Sequence, residues 1–536
     1  MRAWFTFIFL GLFSFQCVFA QNLEQILLKI IDSESFEPIS FSTVRIKASS
    51  IGVIADYNGE LRIPSIYQNE IAIISCIGYE AQEIDLSELQ TNALYTIRLT
   101  PQVEALNPVF ISSRNKVKGI NLSPKSYVEK SRKLYAKDIV LEAIAKIPEN
   151  LSSQPHSYVG YYRDYQLVDN EFHNLNEAIL ETFDTGINTR LLDANTVSTV
   201  VYNFNQNKDF KQDTSLTKAY NGITKYIENS QILPRGGNEH TILSIHDPIR
   251  NYNLNTFSYV YELRSDFPKL HKFEKGKVLF LNNEPILVVN FKKARPHDFS
   301  SIYGIKTARD EYIQGSIYIS LVDYSIHRFN YKVLVPRTNK VLFNVSLEYA
   351  RQNDKMYLNY ITFNNSFVVG EGFELREEKV EFDKKEQAFY ITFNNTEHMF
   401  NYRTLKKANF KFRLGDQRLR TTSVNGIEGN KRIVRVEVEN YDRTPIELNV
   451  DNIEDLTYEI KKVRDAVGNE IYQQNTIQGD QFREFFVQQV HEEHPLPDGL
   501  IVMDKNLPMT EIILNDFPDM NQYWINSPLM NKKYRD

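Results

Sequence analysis

The side chains best able to do chemistry in this chain are ten histidines and a single cysteine beyond residue 20, and their spacing argues against catalysis. The nearest histidine pair is His491-Glu492-Glu493-His494. Two histidines three apart could share a metal at a helix end. This run meets Pro495 and lacks an evident third ligand, and the His-Glu-x-x-His order of zinc hydrolases is absent, so an exposed polar end is expected. His240 and His246 flank Ile242 to Ile245 and could share one loop with Asp247, a second and weaker metal candidate. Asp56, Asn58 and Glu60 stand too close together for a calcium loop with a distal glutamate, and they read as a turn. Cys76 lies in the apolar run Ile71 to Ile77, where a buried small side chain is expected rather than a nucleophile. There is no Gly-x-Ser-x-Gly elbow, no phosphate loop ending in Gly-Lys-Ser or Gly-Lys-Thr, and no glycine-rich nucleotide fingerprint around Gly315-Ser316. Among 68 acidic residues, accidental pairs at a glycosidase separation of about 5 to 10 Å are unavoidable and carry no signal. No catalytic, cofactor-binding or metal-ligating residue is assigned, no cofactor is expected, and the chain does not read as an enzyme.

The elements around these residues indicate where the chain works. Met1-Arg2 is a short positive start, Trp4 to Phe15 is almost wholly apolar, and Val18-Phe19-Ala20 places small residues before a cut at Gln21. This is the pattern of a cleaved signal peptide over residues 1–20. A lipoprotein signal on Cys17 would want Gly or Ala where Gln16 stands. With Cys17 removed, only Cys76 remains, so no internal disulfide is expected, as in an exported bacterial protein resting on ordinary cores. The net charge of −6 comes from mixed signs along the chain, which excludes the basic stripe of a nucleic-acid binder. No later segment is apolar for long enough to be a membrane helix.

With 31 tyrosines and 34 phenylalanines, the chain reads as mainly β. Residues 24–100 hold seven short strand-like runs separated by turns at Glu37-Pro38, Asp56-Tyr57-Asn58-Gly59 and Gly78, which predicts a small antiparallel sandwich. Residues 101–133 read as a linker, basic from Ser112 onward; contact with acidic lipid or an acidic partner is the alternative to plain solvation. Leu134 to Ile147 carries one apolar stripe and predicts a helix stopped by Pro148. The rest of 134–399 alternates with period two and predicts a large curved antiparallel sheet, with surface loops and a short helix over Asn203–Asp247. Residues 400–536 read as a mixed α/β region containing a helix from Asp480 to Val490. Ile361-Thr362-Phe363-Asn364-Asn365 recurs at Ile391 to Asn395, too little to define a repeat.

The amino-terminal runs also resemble a known family. Ile31-Asp32, Glu37-Pro38-Ile39, Ser42 to Ile46, the Asp56-Tyr57-Asn58-Gly59 hairpin and Ile77-Gly78-Tyr79 look like the carboxypeptidase regulatory-like domain, a transthyretin-like sandwich common in exported Bacteroidetes proteins. Lys29-Ile30 departs from the family, which has a glycine there. The resemblance implies a non-catalytic companion domain. Tyr158 to Asp164 with Glu177-Ala178 is similar to the body of uncharacterised Bacteroidetes proteins, and the hairpin at Gly315 to Ile319 is loosely similar to the half-barrel of periplasmic lipoprotein carriers. The functional expectation is a non-enzymatic binding or assembly protein of the Gram-negative envelope, in the periplasm or peripherally on the outer membrane, with an envelope protein as partner. The alternative is a periplasmic carrier of a lipid or other hydrophobic ligand; a hydrolase ranks below both.

Overall fold

The computed structural model describes residues 24–49, 51–102, 124–190, 197–220, 224–227, 237–257, 260–281, 284–294, 312–335, 340–370, 374–395, 400–447, 455–473, 476–516 and 522–529. The expected signal peptide and most of the expected linker lie outside them.

Seven strands build the amino-terminal unit: β1 (Gln25–Asp32), β2 (Thr43–Ile46), β3 (Gly52–Ile54), β4 (Glu60–Pro64), β5 (Ile71–Ser75), β6 (Gln82–Asp85) and β7 (Leu94–Leu99). They form two sheets, β4-β1-β7 and β3-β2-β5-β6. Alternate residues turn inward, so Ile26, Leu28 and Ile30 of β1 meet Val44 and Ile46 of β2 and Ile74 of β5 in one core. The arrangement is a β-sandwich, with one departure from the antiparallel expectation: β7 runs parallel to β1. The following segment is described only at its ends. Pro101 bridges back to Tyr79, while α1 (Pro124–Arg132) is helical rather than linker and buries Val128.

The predicted helix appears as α2 (Ala136–Ala145), with Ile139, Val140, Ala143 and Ile144 buried. Pro148 does not end it. The chain turns at Lys146 and starts a one-turn helix, α3 (Ile147–Asn150), where a proline in the first turn costs no hydrogen bond.

The long strands then follow: β8 (His156–Val168), β9 (Glu171–Asp184), β10 (Val197–Gln206), the two-residue β11 (Lys225–Tyr226), and a small pair, β12 (Asn255–Phe257) and β13 (Val260–Glu262). After these come β14 (Lys272–Leu281), β15 (Glu284–Ala294), β16 (Tyr312–Ser320), β17 (Ile326–Val335), β18 (Lys340–Gln352) and β19 (Lys355–Val369). Between β11 and β14 lie two short helices, α4 (Glu239–Ile245) and α5 (Phe267–Leu270). The Asn203–Asp247 stretch therefore holds largely exposed loop over 207–220 and a short helix, as expected, but not all of it is surface: Lys225 is fully buried and α4 buries His240, Leu243 and Ile245.

Residues 375–473 form a separate unit from β20 (Glu377–Asp383), β21 (Ala388–Phe393), β22 (Phe410–Leu414), β23 (Gln417–Arg418), β24 (Arg420–Gly426), β25 (Ile433–Glu439) and β26 (Leu456–Ile460). Its sheets, β20-β21-β25-β24 and β23-β22-β26, enclose a core in which Phe389 stacks on Phe412 at 4.2 Å. The two copies of Ile-Thr-Phe-Asn-Asn fall in β19 and β21, in different sheets, so they are not a structural repeat. The chain leaves the large sheet at Val369 and re-enters at Ile477, the residue paired with it. The unit is thus an insertion between two neighbouring strands.

That re-entry corrects the expected helix at Asp480–Val490: the segment is β27 (Ile477–Glu492), a sixteen-residue strand between β8 and β19. Phe482, Phe485 and Phe486 have helical spacing, but both faces of this strand are covered, so its apolar residues need not alternate. The full order is β10-β9-β8-β27-β19-β18-β17-β16-β15-β14, with β11 on β19. One face is apolar, with Phe329, Val345, Phe363 and Phe485 among its residues, and α2, α4 and α5 contribute to the core packed on it.

The opposite face carries the sandwich. Gln522–Leu529 threads between the two and ties them together. Trp524 enters the sandwich core and its Nε1 donates to the Arg62 carbonyl at 3.0 Å, while the Gln488 side chain of β27 bonds the Trp524 backbone.

Candidate functional site

The residues singled out in the sequence do not converge. Asp56 closes its own hairpin: Oδ1 accepts from the backbone of Asn58 and Glu60, while the Glu60 side chain pairs with Lys29. Cys76 is buried, and burial raises its thiol pKa despite Arg328 Nη2 at 3.7 Å. His491 and His494 sit at the end of β27, not on a helix, with ring centroids 5.5 Å apart; His494 is half-exposed. His240 and His246 belong to α4 and its cap, yet part from each other: His240 meets the edges of Tyr162 and Phe485, and His246 stacks on Phe363 at 3.9 Å. Burial lowers their pKa values to about 4 and about 3, so both are neutral. Asp247 turns elsewhere, accepting from Tyr349 at 2.7 Å. Among the described residues, no group of three or more His, Cys, Asp or Glu could hold a metal ion.

What the fold does assemble is a continuous polar row. Residues directly opposite in antiparallel strands share one face. From the β10 edge inward the row runs Asn205, Glu177, Arg163, Glu484 and Thr362. It continues through Ser346, Asn330, Ser316, Asn290 and Glu274 to the β14 edge. All ten strands contribute one polar residue in register, on the face opposite the apolar core.

The two halves of the row have different fates. The first, beyond the exposed Asn205 at the β10 edge, is closed over. Arg163 is buried, donating to Glu484 at 2.5 Å and to the Asn526 carbonyl at 3.0 Å, with Asp56 of the sandwich 3.8 Å away. Burial raises the Asp56 pKa to about 6, against the pull of Arg163. Glu177 accepts from both Tyr161 and Ser527 at 2.6 Å. This half is a polar latch joining sheet, sandwich and carboxy-terminal segment.

The second half lies open in a cleft of about 540 Å³ between the sandwich and β14–β19. Its floor is an amide–hydroxyl ladder: Asn330 donates to Ser316 at 3.2 Å and accepts from Ser346 at 2.6 Å. Two residues along each strand, a parallel row carries Lys272, Lys292, Gln314, Lys332 and Asn344. Gly315 separates Gln314 from Ser316, and a Cβ there would strike the Asn330 carbonyl and the ring of Phe291. The sandwich wall is made by Ser40, Phe41 and Tyr57. Phe41 holds φ at 61°, strained for an aromatic residue, and thereby lays its ring on Tyr360 at 4.7 Å. The Tyr360 hydroxyl is fully buried beside Ser346 and lacks a hydrogen bond of good geometry. Tyr57 projects at the rim, 59% exposed.

The cleft's charge is positive. Lys292 pairs with Glu274 at 2.7 Å, and Arg328 is held by Glu348 at 2.5 and 3.0 Å. Lys272 and Lys332 have no ion-pair partner among the described residues. Among the described lining residues Glu274 is the one carboxylate, and none is histidine or cysteine. The described residues of this surface offer donors and cations to a ligand, with no nucleophile–base pair among them. Its sequence signal was present as polar residues alternating with Val, Ile and Phe along β15–β18; their alignment depends on strand register.

No helix among the described residues is long and apolar enough to cross a membrane. No family model matches the chain, and no curated protein is similar enough to count as a relative. Among solved structures, a LolA superfamily protein from Nitrosomonas europaea is 7% identical, with 43% of this chain and 86% of that one covered and a TM-score of 0.19. The Pseudomonas aeruginosa MucA/MucB complex is also 7% identical, with coverage of 61% and 98% and a TM-score of 0.14. At these scores neither likeness carries an argument about this chain.

Proposed function

We propose that this protein is a non-enzymatic binding or assembly protein of the Gram-negative cell envelope, exported by a cleaved signal peptide, with the polar cleft as its specific surface. The observation that carries this reading is the open half of the polar row: a floor of paired amides and hydroxyls, flanked by lysines and walled by aromatic rings. The sandwich supplies one wall and no reactive group, which is the part a regulatory-like, transthyretin-like companion domain would play. We place the protein in the periplasm, free or held peripherally at the outer membrane by a protein partner.

Two other modes have less support. A hydrophobic-ligand carrier needs an open apolar surface, and the apolar face of the large sheet is covered by packed helices. Strand addition at the β14 edge is opposed by Lys272, Lys275 and Lys277 and by the bulge between Lys275 and Val278, devices that discourage edge pairing.

The test is fractionation of the native host followed by crosslinking of the tagged protein in place. Recovery in the envelope fraction with a stoichiometric partner or ligand is the expected result. Recovery in the cytoplasm, or recovery in the envelope with hydrolytic turnover, would contradict the reading.

A further inference from the structure

We propose that the cleft takes an anionic oligosaccharide, an inference that rests on the cleft being the binding surface. Four features of the site point to this ligand class. First, the floor is polar along its length, with donors and acceptors repeating strand by strand at about 4.8 Å. Asn330 is already oriented by Ser316 and Ser346, and Asn344 donates to Asn364 at 3.0 Å, so the amides are fixed before a ligand arrives. A chain of hydroxyls finds a partner at each step of such a floor.

Second, among the described residues the charge has one sign once internal pairs are removed. Lys292 is taken by Glu274 and Arg328 by Glu348, which leaves Lys272 at one end and Lys332 further in. Lys272 lies opposite Lys292, and Lys332 is three strands from Lys272, about 14 Å away at the same spacing. Two ammonium groups without an ion-pair partner among the described residues suit a ligand whose acidic groups recur at intervals, rather than a single compact anion.

Third, the rim carries an aromatic ring at small conformational cost. Tyr57 stands on the tight Asp56–Gly59 turn, with Phe41 beneath its edge at 6.4 Å. An exposed ring above a polar floor can cover the C–H face of a sugar while its hydroxyls turn to the amides. Fourth, an acidic peptide, the nearest competitor, would also present backbone groups wanting a strand edge and side chains wanting apolar pockets. The cleft floor is a sheet face, whose backbone groups are already paired.

The test is titration calorimetry of the exported full chain with hexagalacturonate, maltohexaose and hexaglutamate, on wild type and on Lys272→Glu/Lys332→Glu and Tyr57→Ala. Hexagalacturonate is expected to bind wild type, with affinity falling about tenfold or more in the double charge reversal. It should also fall when salt is raised from about 0.1 M to about 1 M, which shortens the Debye length from about 10 Å to about 3 Å. Tyr57→Ala should weaken hexagalacturonate and leave hexaglutamate unchanged. Lys272 and Tyr57 are exposed and Lys332 is half-buried, and an unchanged thermal midpoint verifies the fold. Tighter binding of maltohexaose or hexaglutamate, lost in the same variants, would overturn the anionic-glycan assignment while keeping the cleft as a binding site. No binding of any of the three, or binding of hexagalacturonate indifferent to the variants, would overturn the assignment as well; with no photocrosslink from the cleft in the host, the binding reading falls too.

Discussion

Replacement of Arg163 by methionine is the sharpest test of how sandwich and sheet are joined. The arginine is 1% exposed; it donates to Glu484 and to the Asn526 carbonyl, and Asp56 lies within 3.8 Å. Methionine fills much of the same length but leaves two buried carboxylates without their cation. Removing one partner of a buried ion pair costs about 3–5 kcal/mol, because the remaining charge stays desolvated. Protonation offsets part of that cost. Asp56 already titrates at about 6, raised from 3.8 by burial, and loss of the arginine raises it further. A carboxyl whose folded pKa lies above its unfolded value adds stability that is full below the unfolded value and is lost as pH rises through the folded one. The penalty of R163M is therefore largest near about pH 8 and shrinks toward about pH 5, while the buried histidines titrate alike in both proteins and cancel. Urea unfolding followed by Trp524 fluorescence reads this directly, since the other tryptophan, Trp4, lies in the expected signal peptide. A penalty below about 1 kcal/mol at the higher pH, the range of exposed pairs, or one that grows on acidification, would refute the latch.

Three further outcomes follow from buried groups. Trp524→Ala removes a side chain that is 7% exposed in the sandwich core and its bond to the Arg62 carbonyl; unfolding should be easier by about 3–5 kcal/mol in the same urea assay. Cys76 should resist alkylation in the native protein and react fully in denaturant, because burial both shields the thiol and raises its pKa. His240 has a folded pKa of about 4, lowered from 6.5 by burial, so it contributes stability above 6.5 that is lost as pH falls toward 4. His240→Phe keeps the ring between Tyr162 and Phe485, and its thermal midpoint relative to wild type should rise on moving from about pH 8 to about pH 5.

Much of the fold was legible because its signals are local. The Asp56-Tyr57-Asn58-Gly59 turn, the Ile139–Ile144 stripe and the hairpin around Tyr324, which takes a positive φ of 60°, each follow from a few neighbouring residues. The failures are where long-range pairing decides. β27 mimics a helix through Phe482, Phe485 and Phe486 because Arg483 and Glu484 are buried in ion pairs instead of marking a wet face. Residues 375–473 read as the end of the large β region to 399 and the start of a mixed α/β region from 400, because nothing local marks Val369 and Ile477 as neighbours. The cleft was invisible for the same reason. Asn290, Ser316, Asn330 and Ser346 are ordinary polar strand residues until register places them side by side. Conversely, the histidines drew attention by type alone, and packing sends them to separate places.

Under the proposed function, the cleft is where this protein meets what it binds. The most direct measurement is in-cell photocrosslinking in the native host, from a photoreactive residue at Gln314 on the exposed cleft floor and, as control, at Lys385 on the inserted unit. A discrete adduct is expected from Gln314 that is lost when Lys272 and Lys332 are reversed in charge, and none from Lys385. An adduct from Lys385 with none from Gln314 would contradict that reading and move the binding surface to the inserted unit.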